Sequence, residues 1–549
     1  MAVVSFNKKT FEKEIGRLNE EMQHKIAMFG TPLESVTDKE VQIEIFPNRP
    51  DLLSYQGFKR GFLAFLGKKT GLKICKIHKP EKDYLVIIDK SVERIRPYTA
   101  CAIIKGLTFN NEKIKEIIDM QEKLHATVGR KRKKAAIGVY PLEKIKLPIT
   151  YKALEPDKIK FIPLESEKEM SGLEILQKHP AGRNYADLLA GKEKFPIFID
   201  ANSNILSMPP IINSQLTGKI TEQTKDVFIE CSGFDFEILK KCLNIIATNL
   251  ADMGGQIYQM ELRYKYKEIT PDLKPEKMKL NINNANKLLG LKLKEQQVRI
   301  FLEKMGYNYT KSTAIIPAWR TDILHEVDLI EDIAIAYGYD KLIPEVPNIS
   351  AIGQQNQRES MKNKVAGILT GLNLIEISNY HLTTKQDQFT KMGLNEKQGG
   401  IIEVEESKTN YNILRQNLTH YGLKILSENI DVEYPQRIFE IGKIFEDKNE
   451  KITEQENLCI TLAPGNFTEL KQILEYLGKM LETEIKLGEP EQEYPSHFIE
   501  GRVAEVFINN KPAGFLGEIH PKIMKNWKLK LPVVLLEIRL DEVLGKDWF

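Results

Sequence analysis

The sequence predicts an α+β protein built from several domains. Length is one reason: 549 residues exceed what a single core supports, and at roughly 150 residues per domain they imply about three or four. Composition is another, since 42% hydrophobic and 28% charged residues describe an ordinary globular chain. Pattern is the third. Short β-rich runs and helix-period segments follow one another irregularly. The last two hundred or so residues read as one antiparallel sheet with flanking helices. No internal repeat or low-complexity tract interrupts this plan.

Residues 1–85 read as a small α/β unit. Val41, Ile43 and Ile45 alternate as a half-buried strand. Pro47-Asn48-Arg49-Pro50-Asp51 then turns the chain into a helix that reaches Gly67, with Phe58, Phe62, Phe65 and Leu66 facing inward. The charged stretch around Lys79-Pro80-Glu81-Lys82 marks a boundary. Residues 90–265 mix strands and helices, with β-rich runs at Phe195–Asp200 and Val227–Glu230 and an amphipathic helix from Leu239 to Met253. Met208-Pro209-Pro210-Ile211-Ile212-Asn213-Ser214 cannot form a regular helix; such rigid loops line pockets or merely connect.

Residues 272–347 form a compact third unit. One helix ends at Gly290 and another, Lys294 to Met305, ends at Gly306, as glycine C-caps require. A strand and an acidic helix follow, an order that resembles a winged helix-turn-helix. The second helix sets Lys294, Arg299 and Lys304 against Glu295 and Glu303, a weak charge for reading a nucleic-acid groove, which favours a structural role. In residues 350–549, Arg437–Phe445, Val503–Ile508, Phe515–Ile519 and Val533–Leu536 supply the strands.

Several classes are disfavoured. No run of about 18 apolar residues offers a transmembrane helix, and Lys8, Lys9, Glu12 and Glu14 break any signal-peptide pattern. Five scattered cysteines without a C-x-x-C pair point to a reducing cytoplasm and away from a zinc site. P-loop, Rossmann, H-E-x-x-H, G-x-S-x-G and kinase signatures are absent. The net charge of +3 does not by itself imply nucleic acid. Arg130-Lys131-Arg132-Lys133-Lys134 is a local exception. Its mutual repulsion predicts an exposed run, which serves as a phosphate contact or a solvated loop tip. His125 and His325 read as structural.

The most informative segment is Trp319 to Asp332. Ile323, Val327, Ile330, Ala334 and Tyr337 alternate at spacings of four and three, which predicts one buried stripe. Asp328, Glu331 and Asp332 share a face beside it, and Asp322 lies where an N-cap is expected. Oxygen-only ligands suit a hard cation, most simply Mg²⁺. The same acids also suit the positive end of a helix dipole or a solvated face with no metal at all.

Together with its neighbours, this segment resembles the beta subunit of phenylalanyl-tRNA synthetase of the archaeal and eukaryotic cytosolic type. The resemblance covers nearly the whole chain. It rests on Asn48–Leu52, Gln121–His125 with Gly129–Lys133, His179–Arg183 and Pro209–Asn213. It continues through Trp319–Tyr339, the most specific stretch, to Pro435–Gly442 and Gly517–Pro521. It implies an editing-type α/β domain at 90–265, a winged-helix-like domain at 272–347 and a class II synthetase-like antiparallel sheet domain at 350–549. It also implies a cytoplasmic heterotetramer of two alpha and two beta subunits, in which alpha binds ATP and phenylalanine and charges tRNA(Phe). Arg437-x-x-Glu440 only echoes the class II Arg-x-Glu strand, so the beta chain alone is not expected to activate an amino acid. The resemblance further implies Mg²⁺ bound through Asp322, Asp328, Glu331 and Asp332 in a site shared with alpha.

For the middle domain it implies hydrolysis of tyrosine wrongly attached to tRNA(Phe), with Ser207, Glu230 and Ser232 in the pocket. A site that hydrogen-bonds the extra hydroxyl selects tyrosine over phenylalanine. The sequence departs from the family's pattern here, with Glu230-Cys231-Ser232 where Asp-x-Thr is expected and Tyr140-Pro141 where His-Asp is usual. Two other readings compete: a free-standing tRNA- or DNA-binding factor using the helix-turn-helix and the basic run, and an editing hydrolase acting in trans.

Overall fold

The structure is a computed structural model that describes residues 2–396, 400–405, 407, 409–448, 451–490 and 494–541. The chain divides into two compact units, Met1–Val346 and Pro347–Phe549. Among the described residues no helix is long and apolar enough to cross a membrane, and the five cysteines are free thiols.

The first unit is organised by an eleven-stranded mixed sheet. Its far end runs Tyr98–Lys105, Val227–Gly233 and Ala135–Pro141, all antiparallel. Val227–Gly233 lies between the other two and is buried at every position. Side chains alternate across a strand, so its residues divide between two cores. Ile229 and Cys231 join the core that includes Leu239, Leu243 and Ile246 of the helix Phe236–Asp252. Phe228 joins a second core with Tyr140, Tyr151, Phe198 and Leu206. By the same period of two, Glu230 and Ser232 lie on the side of Phe228.

Two expectations change at this sheet. The boundary placed near residue 85 falls inside it, because Ile77–His78 and Leu85–Ile88 both pair in parallel with Gln256–Arg263. Lys267–Thr270 extends the same sheet past residue 265. The helix Phe236–Asp252 is buried over most of its surface rather than on one stripe. It is covered by the sheet on one side and on another by the helix Tyr55–Phe65, where Ser54 Oγ donates to Asn249 Oδ1 at 2.9 Å.

The strand Glu40–Ile45, paired with Ala2–Asn7, and the helix Tyr55–Phe65 form near the predicted places with Phe58 and Phe62 fully buried, but the helix ends two residues before Gly67 and Phe65 and Leu66 are half-buried. The turn between them is fastened by Arg49, whose Nε and Nη2 meet Asp51 Oδ1 and Oδ2 at 2.9 and 3.0 Å. Farther along, the helices Ile282–Leu289 and Glu295–Lys304 pack against Glu326–Tyr337 beside a three-stranded sheet of Glu276–Lys279, Asn308–Thr310 and Thr313–Ile316. Gly290 and Gly306 take the left-handed conformation at the ends of the first two, as the glycine stops imply.

The second unit holds a seven-stranded sheet in the order Ile375–Glu376, Gln436–Lys448, Lys451–Ala463, Val534–Arg539, Lys511–Ile519, Phe498–Ile508 and Ile485–Gly488. All pairs are antiparallel except the first, which is parallel. Helices Gln357–Gly371 and Phe467–Met480 contribute to the core on one face, and Thr419–Glu428 to the core on the other. Lys451–Ala463, a strand inside this sheet, has no apolar alternation in its first half, which carries Lys451, Glu454 and Glu456, and so is not legible in the sequence.

Candidate functional site

The first unit encloses a cavity of about 860 Å³. Its walls come from the helix Asn111–Ala126, the strand Ala135–Pro141, the loop at Pro209–Asn213 and the helix start at His179. Ile117, Ile118, Ile137, Val139 and Ile211 make the wall mostly apolar, and Glu230 is the buried carboxylate on it. The rigid Met208–Ser214 segment is therefore a wall and not a mere connection.

Of the three residues expected in this pocket, only Glu230 reaches the cavity wall. Ser207 lies behind it, and the two are joined through Tyr140. The Tyr140 hydroxyl is 2.8 Å from Ser207 Oγ, 3.2 Å from Glu230 Oε1 and 3.3 Å from Asn213 Oδ1. Ser232 is off the cavity wall and held by Arg96, whose Nε donates to its Oγ at 3.2 Å and Nη2 to its carbonyl at 2.5 Å, while its hydroxyl still acts on the Glu230 carboxyl. Asn213 was singled out only as part of the rigid loop and the family motif, and Arg96 was missed, because neither stands near Glu230 in sequence and only the fold brings them there.

Burial pushes the Glu230 carboxyl up to about 8, while Arg96, Tyr140 and Ser232 pull it down by less. At neutral pH it is therefore a neutral acid that can donate a hydrogen bond. That resolves the count around Tyr140. A phenol has one proton and two lone pairs, so it serves three neighbours only if two of them donate to it, as Ser207 Oγ and a protonated Glu230 can while Asn213 Oδ1 accepts. The second oxygen, Glu230 Oε2, is buried without a partner.

Near the cavity, the basic run makes a tight turn. Arg130, Lys131 and Arg132 all have positive φ, 45°, 54° and 66°, a conformation that non-glycine residues avoid. The expectation that all five cations are exposed fails at Arg132 and Lys134, which are half-buried; Arg132 is the one drawn toward the cavity. Its Nη1 donates to Ile211 O at 2.8 Å, its Nη2 to Glu122 Oε1 at 2.9 Å, and its guanidinium lies 4.4 Å from the Tyr185 ring centre. Repulsion is relieved locally by Glu122, whose carboxyl is held down at about 2, first by its hydrogen bond with His125 and then by Arg132. His125 is buried, and its Nε2 accepts from Ile137 N at 2.8 Å. Burial lowers its pKa, so it is a neutral structural residue.

The acidic segment folds differently from the expected pattern. The helix spans Glu326–Tyr337, and its N-cap is His325, not Asp322. His325 Nδ1 accepts from Val327 N at 3.2 Å, and Asp328 Oδ2 accepts from Leu324 N and His325 N at 2.7 and 2.8 Å. Leu329, Ile330, Ile333, Ala334 and Ala336 are buried, whereas Val327 is 49% exposed. The helix packs against two neighbouring helices, so it buries a broad face rather than one stripe.

Asp322 and Asp332 flank a buried arginine. Arg320 Nη2 lies 2.7 Å from Asp322 Oδ2 and 2.8 Å from Asp332 Oδ2, and Tyr307 also donates to Asp332. Burial opposes the Arg320 charge, but the two aspartates hold it protonated. The Glu331 carboxyl is raised by burial and by Asp332 and Asp328. Among the described residues no three His, Cys, Asp or Glu side chains converge to hold a metal ion. The donors are of the right chemistry for Mg²⁺. In this arrangement, however, Arg320 occupies the place of a cation between two of the four, so the set as folded does not fit one four-ligand ion.

In the second unit Arg437 pairs with Glu469 at 2.6 Å, and Glu440 pairs with the buried Arg415 at 2.6 Å and accepts from Asn379 Nδ2 at 2.8 Å. The Arg-x-x-Glu echo is thus taken up in structural pairs.

Comparison with known proteins agrees with this architecture. Residues 278–339 match the tRNA synthetase B5 domain, and residues 343–540 match the phenylalanyl tRNA synthetase beta chain CLM domain. The phenylalanine–tRNA ligase beta subunit of Thermococcus sibiricus is 39% identical over 504 residues, 90% of this chain and 89% of that one. The beta subunit of Archaeoglobus fulgidus is 34% identical over 548 residues, 98% of each chain. The crystal structure of an N-terminal fragment of the Pyrococcus horikoshii phenylalanyl-tRNA synthetase beta subunit is 37% identical, with a TM-score of 0.58, over 61% of this chain and 99% of the fragment. On domain matches, identity and coverage together, the chain belongs to the phenylalanine–tRNA ligase beta-subunit family.

Proposed function

We propose that this chain supports ATP-dependent charging of tRNA(Phe) by an alpha partner, and that its cavity hydrolyses tyrosine wrongly joined to that tRNA. Membership of the beta-subunit family supports the first part. The observation that carries the second is the cavity of about 860 Å³ with Glu230 on its wall. Glu230 is tied to Ser207 through one phenol and has one oxygen without a partner. An apolar wall with few polar groups accepts an aromatic side chain. A neutral Glu230 can hydrogen-bond its hydroxyl. Below about pH 8 this carboxyl is mainly protonated and meets a bound hydroxyl by hydrogen bonding. Lys178 and Lys219 on the cavity lining, with the exposed Arg130 and Lys131 nearby, supply positive charge for the RNA backbone.

The test uses the assembled enzyme. The chain and its alpha partner are expected to co-purify and charge tRNA(Phe), and the chain alone is expected to charge nothing. The complex should hydrolyse Tyr-tRNA(Phe), and Glu230→Ala should lower that rate at least tenfold. Hydrolysis at the parental rate in Glu230→Ala would remove Glu230 from the site. Hydrolysis by the lone chain would favour a trans-acting hydrolase.

For Mg²⁺ we propose that an ion meets this chain at the acidic segment through Asp328 and Glu331, since Arg320 already neutralises Asp322 and Asp332 of the four expected ligands. The oxygen-only donor set and the mutual repulsion at Glu331 support this.

A further inference from the structure

We propose that Tyr140 is a built-in occupant of a phenol-reading site, and that it sets how strongly the cavity distinguishes a phenolic side chain from a plain benzyl one. Three polar groups from separate strands, Ser207 Oγ, Asn213 Oδ1 and Glu230 Oε1, converge within 3.3 Å of a single hydroxyl, that of Tyr140. The backbone makes room for it at Gly138. A Cβ there would lie 2.2 Å from the Tyr140 oxygen, 2.6 Å from Cζ and 2.7 Å from Glu230 Oε1, so only glycine lets the phenol tip and the Glu230 carboxyl meet against this strand. Two of the three partners, Asn213 and Glu230, are also on the cavity wall, while Tyr140 and Ser207 stand behind it. The site therefore backs onto the cavity and is filled from inside the protein.

The consequence follows from hydrogen-bond capacity. An aromatic side chain entering from the cavity meets Asn213 and Glu230 from the other side. With Glu230 Oε1, Ser207 and Asn213 engaged by Tyr140, the atom left for an incoming hydroxyl is Glu230 Oε2, which is buried and unpartnered. One bond instead of several gives weak selection of the hydroxylated ligand, because discrimination depends on how many buried polar groups its absence leaves unpaired. This inference rests on the cavity being the hydrolytic site proposed above. A merely structural Tyr140, packed 5.7 Å from the Phe228 ring, would affect stability and leave selectivity untouched.

The experiment compares the alpha–beta complex carrying parent chain, Tyr140→Phe or Gly138→Ala, with aminoacylation of tRNA(Phe) as the check on assembly. Tyr140→Phe keeps the ring and frees Glu230 Oε1 and Asn213; Gly138→Ala displaces the phenol tip but also crowds Glu230 Oε1, so Tyr140→Phe is the deciding variant. It is expected to raise the ratio of kcat/KM for Tyr-tRNA(Phe) over Phe-tRNA(Phe) hydrolysis about tenfold, chiefly through KM for the tyrosyl substrate. Hydrolysis with an unchanged or lower ratio in Tyr140→Phe overturns the role of Tyr140 and leaves the hydrolytic reading standing. If no preparation hydrolyses either substrate, the hydrolytic reading fails, and direct binding decides the fate of Tyr140. Saturable binding of p-cresol about tenfold tighter than toluene in Tyr140→Phe, but not in the parent, supports the occupant. No such preference overturns it.

Discussion

Glu230 is the residue on which the candidate site depends, and its surroundings make a pH prediction. Its carboxyl is raised from 4.5 to about 8 by burial. Between those values the folded chain keeps a proton that the unfolded chain has lost, so this group's contribution to stability falls as pH rises and levels off above about pH 8. Glu230→Gln removes the titration. Thermal melts of parent and variant from pH 4.5 to 8.5 should show the parent losing stability relative to the variant as pH rises; a pH-independent difference would refute the neutral acid. The place of Glu230 at the cavity was legible only through the family resemblance, which put it in the pocket with Ser207 and Ser232. The fate of Ser232 was not, since only the fold brings Arg96 to it.

At the scale of elements, the acidic helix is fixed by the buried set of Tyr307, Arg320, Asp322 and Asp332. Removing one member of such a set leaves an uncompensated buried charge. Arg320→Ala is therefore expected to lower stability by about 3–5 kcal/mol, read as a fall in the first unfolding transition on calorimetry. A change below about 1 kcal/mol would mean that the pair behaves as a surface ion pair. The helix period was legible and its buried face only partly so. Ile330 and Ala334 are buried as expected, but Val327 is exposed and Asp332 is drawn inward. A repeat of apolar residues records that a helix has an inner face. It does not record that two neighbouring helices widen that face, or that an arginine six residues before the helix start draws an acid into the core.

For the whole molecule, the question is how the acidic segment contributes to assembly. Asp328→Ala is expected to reduce Mg²⁺ retained by the alpha–beta complex after dialysis and to weaken co-purification of alpha. Atomic absorption and size-exclusion chromatography measure the two, and unchanged metal content with an intact complex would remove the role assigned to Asp328. The substitution also deletes the cap at Leu324 and His325, which costs about 1 kcal/mol. Glu331→Gln, which touches no cap, is the cleaner companion.

The sequence by itself determined the α+β class, the glycine stops at Gly290 and Gly306, the strand–turn–helix of the N-terminal unit and the family resemblance. Each of these is local, written in periods of two or 3.6 and in residues with narrow backbone preferences. Tertiary structure alone decided that the middle sheet recruits strands from both sides of its expected boundaries. It also decided that Arg132 turns inward, that Arg320 sits between two expected ligands, and that Tyr140 engages the groups around Glu230. Those outcomes depend on contacts between residues tens of positions apart, where burial converts a charge or a hydroxyl from a solvated group into one that needs a partner.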